Sequence, residues 1–260
     1  MKWNIISNII DMFLNANIDK TKFSPAIVLH PFIKSGFVSL NDKLVNILED
    51  KNALEEYKKQ IKSNIKDINS IFMYLGNQYY LAFINYAYLY GGFTQREAIK
   101  LILKYWTEVE SVNNDANLSK EDLLSIFLNA KSVDYLSKKN LEFYNSLPDE
   151  VMIYRGVYKN APKKIINGFS WTINKEIANR FANRYNNVGN IYQATINKKD
   201  ILAVAKERNE EEVIVNYRKL QNIKKIVWKV YSYLIISLFL RLFLRIKKSL
   251  LKKIKLYIIY

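Results

Sequence analysis

The sequence contains no cysteine and a single histidine, His30. Disulfides, thiol nucleophiles, iron–sulfur ligation and structural zinc sites are thereby excluded, and any serine triad would have to use His30. That residue lies in the apolar stretch AIVLHPF beside Pro31, which reads as a packed structural imidazole. Chemistry must then come from carboxylates, arginines and hydroxyls. Acidic residues are missing from the end of the chain: Glu212 is the last, and twelve lysines and arginines follow it. The formal net charge of +16 therefore belongs mostly to the tail, because residues 1–212 carry the other 28 cations against all 24 anions. A secretory signal is also missing. The opening MKWNIISNIIDMF is interrupted by Asn4, Ser7, Asn8 and Asp11, and no small-residue cleavage site follows, so a cytoplasmic location is expected.

What is present is enough for a sizeable core, since 50% of the 260 residues are hydrophobic. Glycine occurs only seven times, and up to residue 147 apolar residues recur at three- and four-residue spacing, which predicts a helical N-terminal region over 1–146. Thr94 and Glu97 form a capping-box pattern before AIKLILKYW. Ser119-Lys120-Glu121-Asp122 opens a second helix through LLSIFLNA, its early carboxylates suiting the positive end of the helix dipole, and 113–117 reads as the connecting loop. Over 147–222 the period changes, and VMIY, NIYQATI, ILAVA and EVIV read as strands between polar turns. One helix interrupts them, led in by Asn174-Lys175-Glu176, with Ile177, Ala178, Phe181 and Ala182 on one face. No internal repeat of twenty residues or more is visible.

Three segments in the strand region carry groups able to do chemistry: Tyr154-Arg155-Gly156, Phe169-Ser170-Trp171-Thr172, and Glu210-Glu211-Glu212 running into Val213-Ile214-Val215. In this order they resemble the R-S-E branch of the ADP-ribosyltransferase superfamily, which includes the enzymatic components of clostridial binary toxins and phage-encoded relatives. The resemblance covers about residues 147–217. Residues 147–156 read LPDEVMIYRG, matching an arginine on the first core strand. Ser170-Trp171-Thr172 matches the Ser-x-Ser/Thr motif, Phe181 and Arg184 in FANR match the phosphate–nicotinamide segment, and Glu210-Glu211-Glu212 matches E-x-E. Trp106 and Glu110 in YWTEVE resemble the helical lead-in of the phage-type relatives.

The resemblance implies an α+β chain whose helical N-terminal region precedes an ADP-ribosyltransferase-like split β-sandwich, with a basic hydrophobic C-terminal helix. It implies a mono-ADP-ribosyltransferase that takes NAD as substrate, needs no metal, and modifies an arginine side chain on a protein acceptor, with NAD hydrolysis as a side activity. Glu212 would stabilise the ribosyl cation, Ser170 would hold Glu212, and Arg155 and Arg184 would grip the phosphates. Glu210, on the same side of an extended segment as Glu212, would meet the acceptor, with 205–209 as the recognition turn. Gly156 and Thr172 join the NAD-binding set, and Phe181 would stack on the nicotinamide, although packing alone also accounts for Gly156 and Phe181. Two features depart from the pattern. Trp171 stands where a small residue is commoner, and three consecutive glutamates let the register slip to Glu211, although Val213 would then fall one place too late.

The tail, 223–260, has an uncharged run over 230–240 that is too short for a spanning helix unless Lys229 and Arg241 snorkel. Its lysine pairs between leucines and isoleucines also suit an amphipathic helix on an anionic membrane, or a solvated or partner-bound helix. Nucleic acid is the lesser partner, because the segment is unusually apolar for one. The rival to the enzyme reading is a transferase-like protein without activity that binds membranes through this tail.

Overall fold

The computed structural model describes residues 1–109, 117–130, 132–184, 188–206 and 208–226. Glu110, most of the expected 113–117 loop and the tail from residue 227 lie outside the described residues.

The chain opens with α1 (Trp3–Leu14), which buries Ile6, Ile9, Ile10, Phe13 and Leu14 at helical spacing. The next segment corrects the expectation of continuous helix up to residue 146. It forms two small antiparallel ribbons, β1 (Asp19–Lys20) with β2 (Val28–Leu29) and β3 (Phe37–Leu40) with β4 (Lys43–Asn46). Pro25 and Pro31 make this stretch a poor helix former. Asn41 and Asp42 both take positive φ, 49° and 61°, as a two-residue hairpin loop of the primed type requires. Six helices follow: α2 (Lys51–Asn64), α3 (Ile68–Tyr74), α4 (Tyr80–Leu89), α5 (Gln95–Tyr105), α6 (Lys120–Ala130) and α7 (Lys138–Ser146). The Thr94–Glu97 capping box is formed, and Ser119 accepts the Asp122 amide at 3.0 Å, so both expected helix starts are where the sequence puts them. α4 buries seven of its ten residues and is the central helix of the region.

Beyond α7 lies a six-stranded antiparallel sheet, made of β5 (Glu150–Val157), β6 (Ser170–Thr172), β7 (Asn190–Asn197), β8 (Ile201–Ala205), β9 (Glu212–Val215) and β10 (Gln221–Ile226). Its spatial order is β10-β7-β5-β6-β9-β8. Two helices punctuate the strands, the short α8 (Lys163–Ile166) and α9 (Lys175–Ala182), the latter capped by Asn174 as expected. β5 pairs with β7 over eight residues but with β6 only at Tyr154↔Thr172. The sheet is thus two three-stranded halves hinged at one residue pair. β10 takes in the first residues assigned to the tail: Lys224 and Lys225 lie on an edge strand, where lysine discourages further pairing.

The helical region and the sheet do not have separate cores. Phe169, Leu202, Ala203 and Ile214 from the sheet pack into the same buried cluster as α1, α4, α5 and α6, while Val151, Ile153, Trp171, Ile196 and Val213 form a second cluster under α7. Gly156 meets α9 so closely that any β-carbon there would overlap the Ala178 carbonyl and the Ala182 amide. Glycine at 156 is therefore required by packing, the plainer of its two expected roles.

His30 is buried, with Nδ1 accepting the amides of Phe32 (3.1 Å) and Ile33 (3.0 Å), so Nε2 carries the proton and donates to the Leu14 carbonyl at 3.3 Å. Burial pushes its pKa down to about 4. A depressed folded-state value gives stability that is complete above pH 6.5 and lost as pH falls toward 4, a loss on the order of 3 kcal/mol. Asparagine can supply the same acceptor without titrating. His30→Asn is expected to flatten the fall in denaturation midpoint between pH 6.5 and 4; an unchanged slope would assign that acid sensitivity elsewhere.

Candidate functional site

The hinge between the half-sheets opens a cleft of about 500 Å³ lined by Arg155, Gly156, Ser170, Thr172, Phe181, Arg184, Glu210 and Glu212. All eight residues expected at the site are on its wall. Arg155 follows Tyr154, the last β5 residue paired with β6, and its guanidinium crosses to the other half. Nε donates to the Ile165 carbonyl at 3.1 Å, and Nη1 donates to the Ser170 carbonyl. Two of its five N–H groups are thus committed to the main chain, which fixes the plane in which the others point. Burial lowers its pKa to about 10, against the opposing pull of Glu212, and it stays charged at neutral pH.

Ser170 and Glu212 share a face because Ser170 pairs with Ile214, two residues along β9 from Glu212. The Ser170 hydroxyl donates to Glu212 Oε1 at 2.5 Å, and the Trp106 indole Nε1–H donates to the same oxygen at 3.0 Å. Burial raises the Glu212 pKa; the two donors and Arg155 oppose that rise, and Glu210 adds to it. Thr172, on the cleft wall, also braces the main chain. Its hydroxyl donates to the Glu210 carbonyl at 2.7 Å and accepts the Asn174 amide at 3.0 Å, tying the turn before β9 to the cap of α9. Trp171 points the other way on β6, into the core, with its indole N–H on the Gly168 carbonyl at 2.9 Å. A large residue is accommodated at position 171 because its side chain is buried in the second core cluster.

The three glutamates separate by backbone geometry. The segment is not extended as expected: Glu211 adopts φ 46°, and Asn209 before it φ 54°. The left-handed residue turns Glu211 toward a neighbouring depression lined by Tyr154, Ile173, Asn174, Lys175 and Glu176, leaving Glu210 and Glu212 on the main cleft. Phe181 carries the Arg184 guanidinium on its face, 3.8 Å from the ring centroid, and Arg184 is exposed at the rim.

Several residues of the site were not evident as such in the sequence. Thr107, Glu108 and Val109, in and just after the 3-10 turn Trp106–Glu108, form a wall contributed by the helical region, and Arg208 adds a third arginine. Lys120 lies behind the site. Its ammonium donates to the carbonyls of Asn167 (2.6 Å) and Lys164 (3.3 Å) and sits 3.8 Å from the Tyr217 ring centroid, clamping the segment whose Ile165 carbonyl holds Arg155. Burial, then the nearby Arg155 charge, lowers its pKa. In the sequence Lys120 looks like one residue of a helix start, and no local pattern marks its contact 47 positions away. Among the described residues no group of three acidic or histidine side chains could hold a metal, and no helix is long and apolar enough to cross a membrane.

Two outcomes follow from this geometry. A carboxyl whose folded-state pKa is raised costs stability once pH exceeds its unfolded value of 4.5. Glu212→Gln should therefore melt higher than wild type at pH 7, by about 2–4 °C for each kcal/mol relieved, with the gap closing below pH 4.5. For Glu211, relief of about 1–2 kcal/mol of left-handed strain competes with about 0.5–1 kcal/mol of glycine entropy. Urea denaturation of Glu211→Gly should show stability unchanged or raised by up to about 1.5 kcal/mol, and Glu211→Val a clear loss. Comparison of the chain with family models, with curated proteins and with solved structures gave no match.

Proposed function

We propose that the chain is a mono-ADP-ribosyltransferase of the R-S-E type, transferring ADP-ribose from NAD to an arginine side chain of a protein, with water as the fallback acceptor. The observation that carries this reading is the continuous link from the Arg155 guanidinium to the Ser170 carbonyl, and from the Ser170 hydroxyl to the Glu212 carboxylate, across one cleft. The split sheet and the order of the site residues along the chain support it. The donor set suits NAD: three arginines for a pyrophosphate, two carboxylates, and the aromatic rings of Tyr154 and Phe181, in a volume typical of small-molecule sites.

Arg155, with Arg184 at the rim, holds the pyrophosphate and thereby the ribose above β9. Glu212 faces the anomeric carbon. The bond from that carbon to the nicotinamide nitrogen breaks with both electrons leaving on nitrogen, so neutral nicotinamide departs and an oxocarbenium ion remains. Glu212 is the fixed negative charge that lowers the energy of that cation. Glu210 pairs with the incoming guanidinium and accepts the proton released as its nitrogen bonds to the anomeric carbon. Residues 208–211, carrying Arg208 and two left-handed residues, present Glu210 to the acceptor.

Release of labelled nicotinamide tests the reading directly. Wild type should consume NAD, and Glu212→Gln should lose about 100- to 1,000-fold in kcat, the usual cost of removing one preorganised electrostatic group. With agmatine as acceptor, Glu210→Ala should lose transfer while keeping hydrolysis. No nicotinamide release from folded wild type, with or without acceptor, would overturn the assignment.

A further inference from the structure

Trp106 caps the end of α5 and starts the 3-10 turn whose next residues line the cleft. It is buried, in edge-to-face contact with Phe127 (5.8 Å) and Phe169 (6.4 Å). Packing alone would be met by any large aromatic, and a buried indole N–H needs only an acceptor. Trp171 shows the plain solution, a main-chain carbonyl. The Trp106 indole instead donates to Glu212, a carboxylate 106 positions away.

The geometry of that carboxylate gives the bond its purpose. A glutamate carboxyl turns about a broad, two-fold terminal torsion, so a single hydrogen bond fixes a distance but leaves the plane free to swing. Ser170 provides one donor to Oε1 from the neighbouring strand, and Trp106 provides a second to the same oxygen from the helical region. Two donors on one oxygen set the plane and reserve Oε2 for whatever lies in the cleft. We infer that Trp106 is a positioning residue, through which the helical region orients the Glu212 carboxylate toward the reacting ribose; this rests on the transferase reading of Glu212.

The test uses the full chain and NAD. Trp106→Phe keeps the ring and removes the N–H. It should lower kcat for nicotinamide release about 10- to 100-fold, in line with the loss of a hydrogen bond to a charged group, with little change in the KM for NAD. The acid limb of kcat against pH should move to higher pH, because a donor that favours the charged carboxylate is gone. In a Glu212→Gln background the same substitution should add little. Wild-type kcat with an unmoved acid limb, or a change confined to KM, would overturn the inference. If Trp106→Phe does not fold, NMR of the four indole N–H signals decides. One signal should titrate with the acid limb of wild-type kcat and lose its titration in Glu212→Gln; indole signals that are flat with pH would overturn it. Full activity of Glu212→Gln would instead remove the functional reading itself, whereas a dead Glu212→Gln beside a normal Trp106→Phe would remove only the role of Trp106.

Discussion

A carboxylate partly withdrawn from water needs donors aimed at it, and Glu212 takes them from two directions. Ser170 comes from the adjacent strand, and Trp106 comes from the end of a helix that precedes the sheet by more than forty residues. Both bonds can form only if the sheet and the helical region keep a fixed relation. The shared core supplies that relation: Phe169 and Ile214 are buried in the same cluster as Ile99, Ile102 and Phe127. Packing far from the cleft thus sets the position of the one side chain on which its electrostatics turn, and the helical region is part of the site's construction.

The same dependence runs through the positive side of the cleft. The Arg155 plane is fixed by carbonyls from α8 and β6, and α8 is clamped in turn by Lys120 from the start of α6. Burial, and then the like charge of Arg155, lowers the pKa of Lys120, and the two cations together concentrate positive potential behind the pocket. Opposite them, two left-handed residues in the turn before β9 separate three consecutive glutamates into two that face the cleft and one that does not. Strain in the backbone does here what alternation along a straight strand would otherwise do.

Much of this was legible in the residues themselves. Capping at Thr94, Ser119 and Asn174, the strands built on VMIY, NIYQATI, ILAVA and EVIV, and the structural character of His30 follow from local rules that need no partner. The residues Arg155, Ser170, Phe181, Arg184, Glu210 and Glu212 could be singled out by order and spacing, and they converge on one cleft. The ribbons over 19–46 were missed because their strands are two to four residues long, too short to show a period of two, although Asn41-Asp42 is a turn signal. β10 was missed because strong basicity masks strand character, and an exposed edge strand has little apolar content to reveal it.

Sequence alone settled which groups are available for chemistry, where most elements begin, and that carboxylates and guanidinium groups lie in strand regions, because composition, caps and periodicity act over a few residues. Tertiary structure alone decided that the sheet splits at Tyr154↔Thr172, that Glu211 turns away, that Thr172 braces the turn, that Gly156 serves the packing of α9, that Trp106 reaches Glu212, and that Lys120 clamps the segment holding Arg155. These are contacts between residues tens of positions apart. Their energies come from burial and from hydrogen bonds closed only when the two regions meet, and no short-range pattern encodes them.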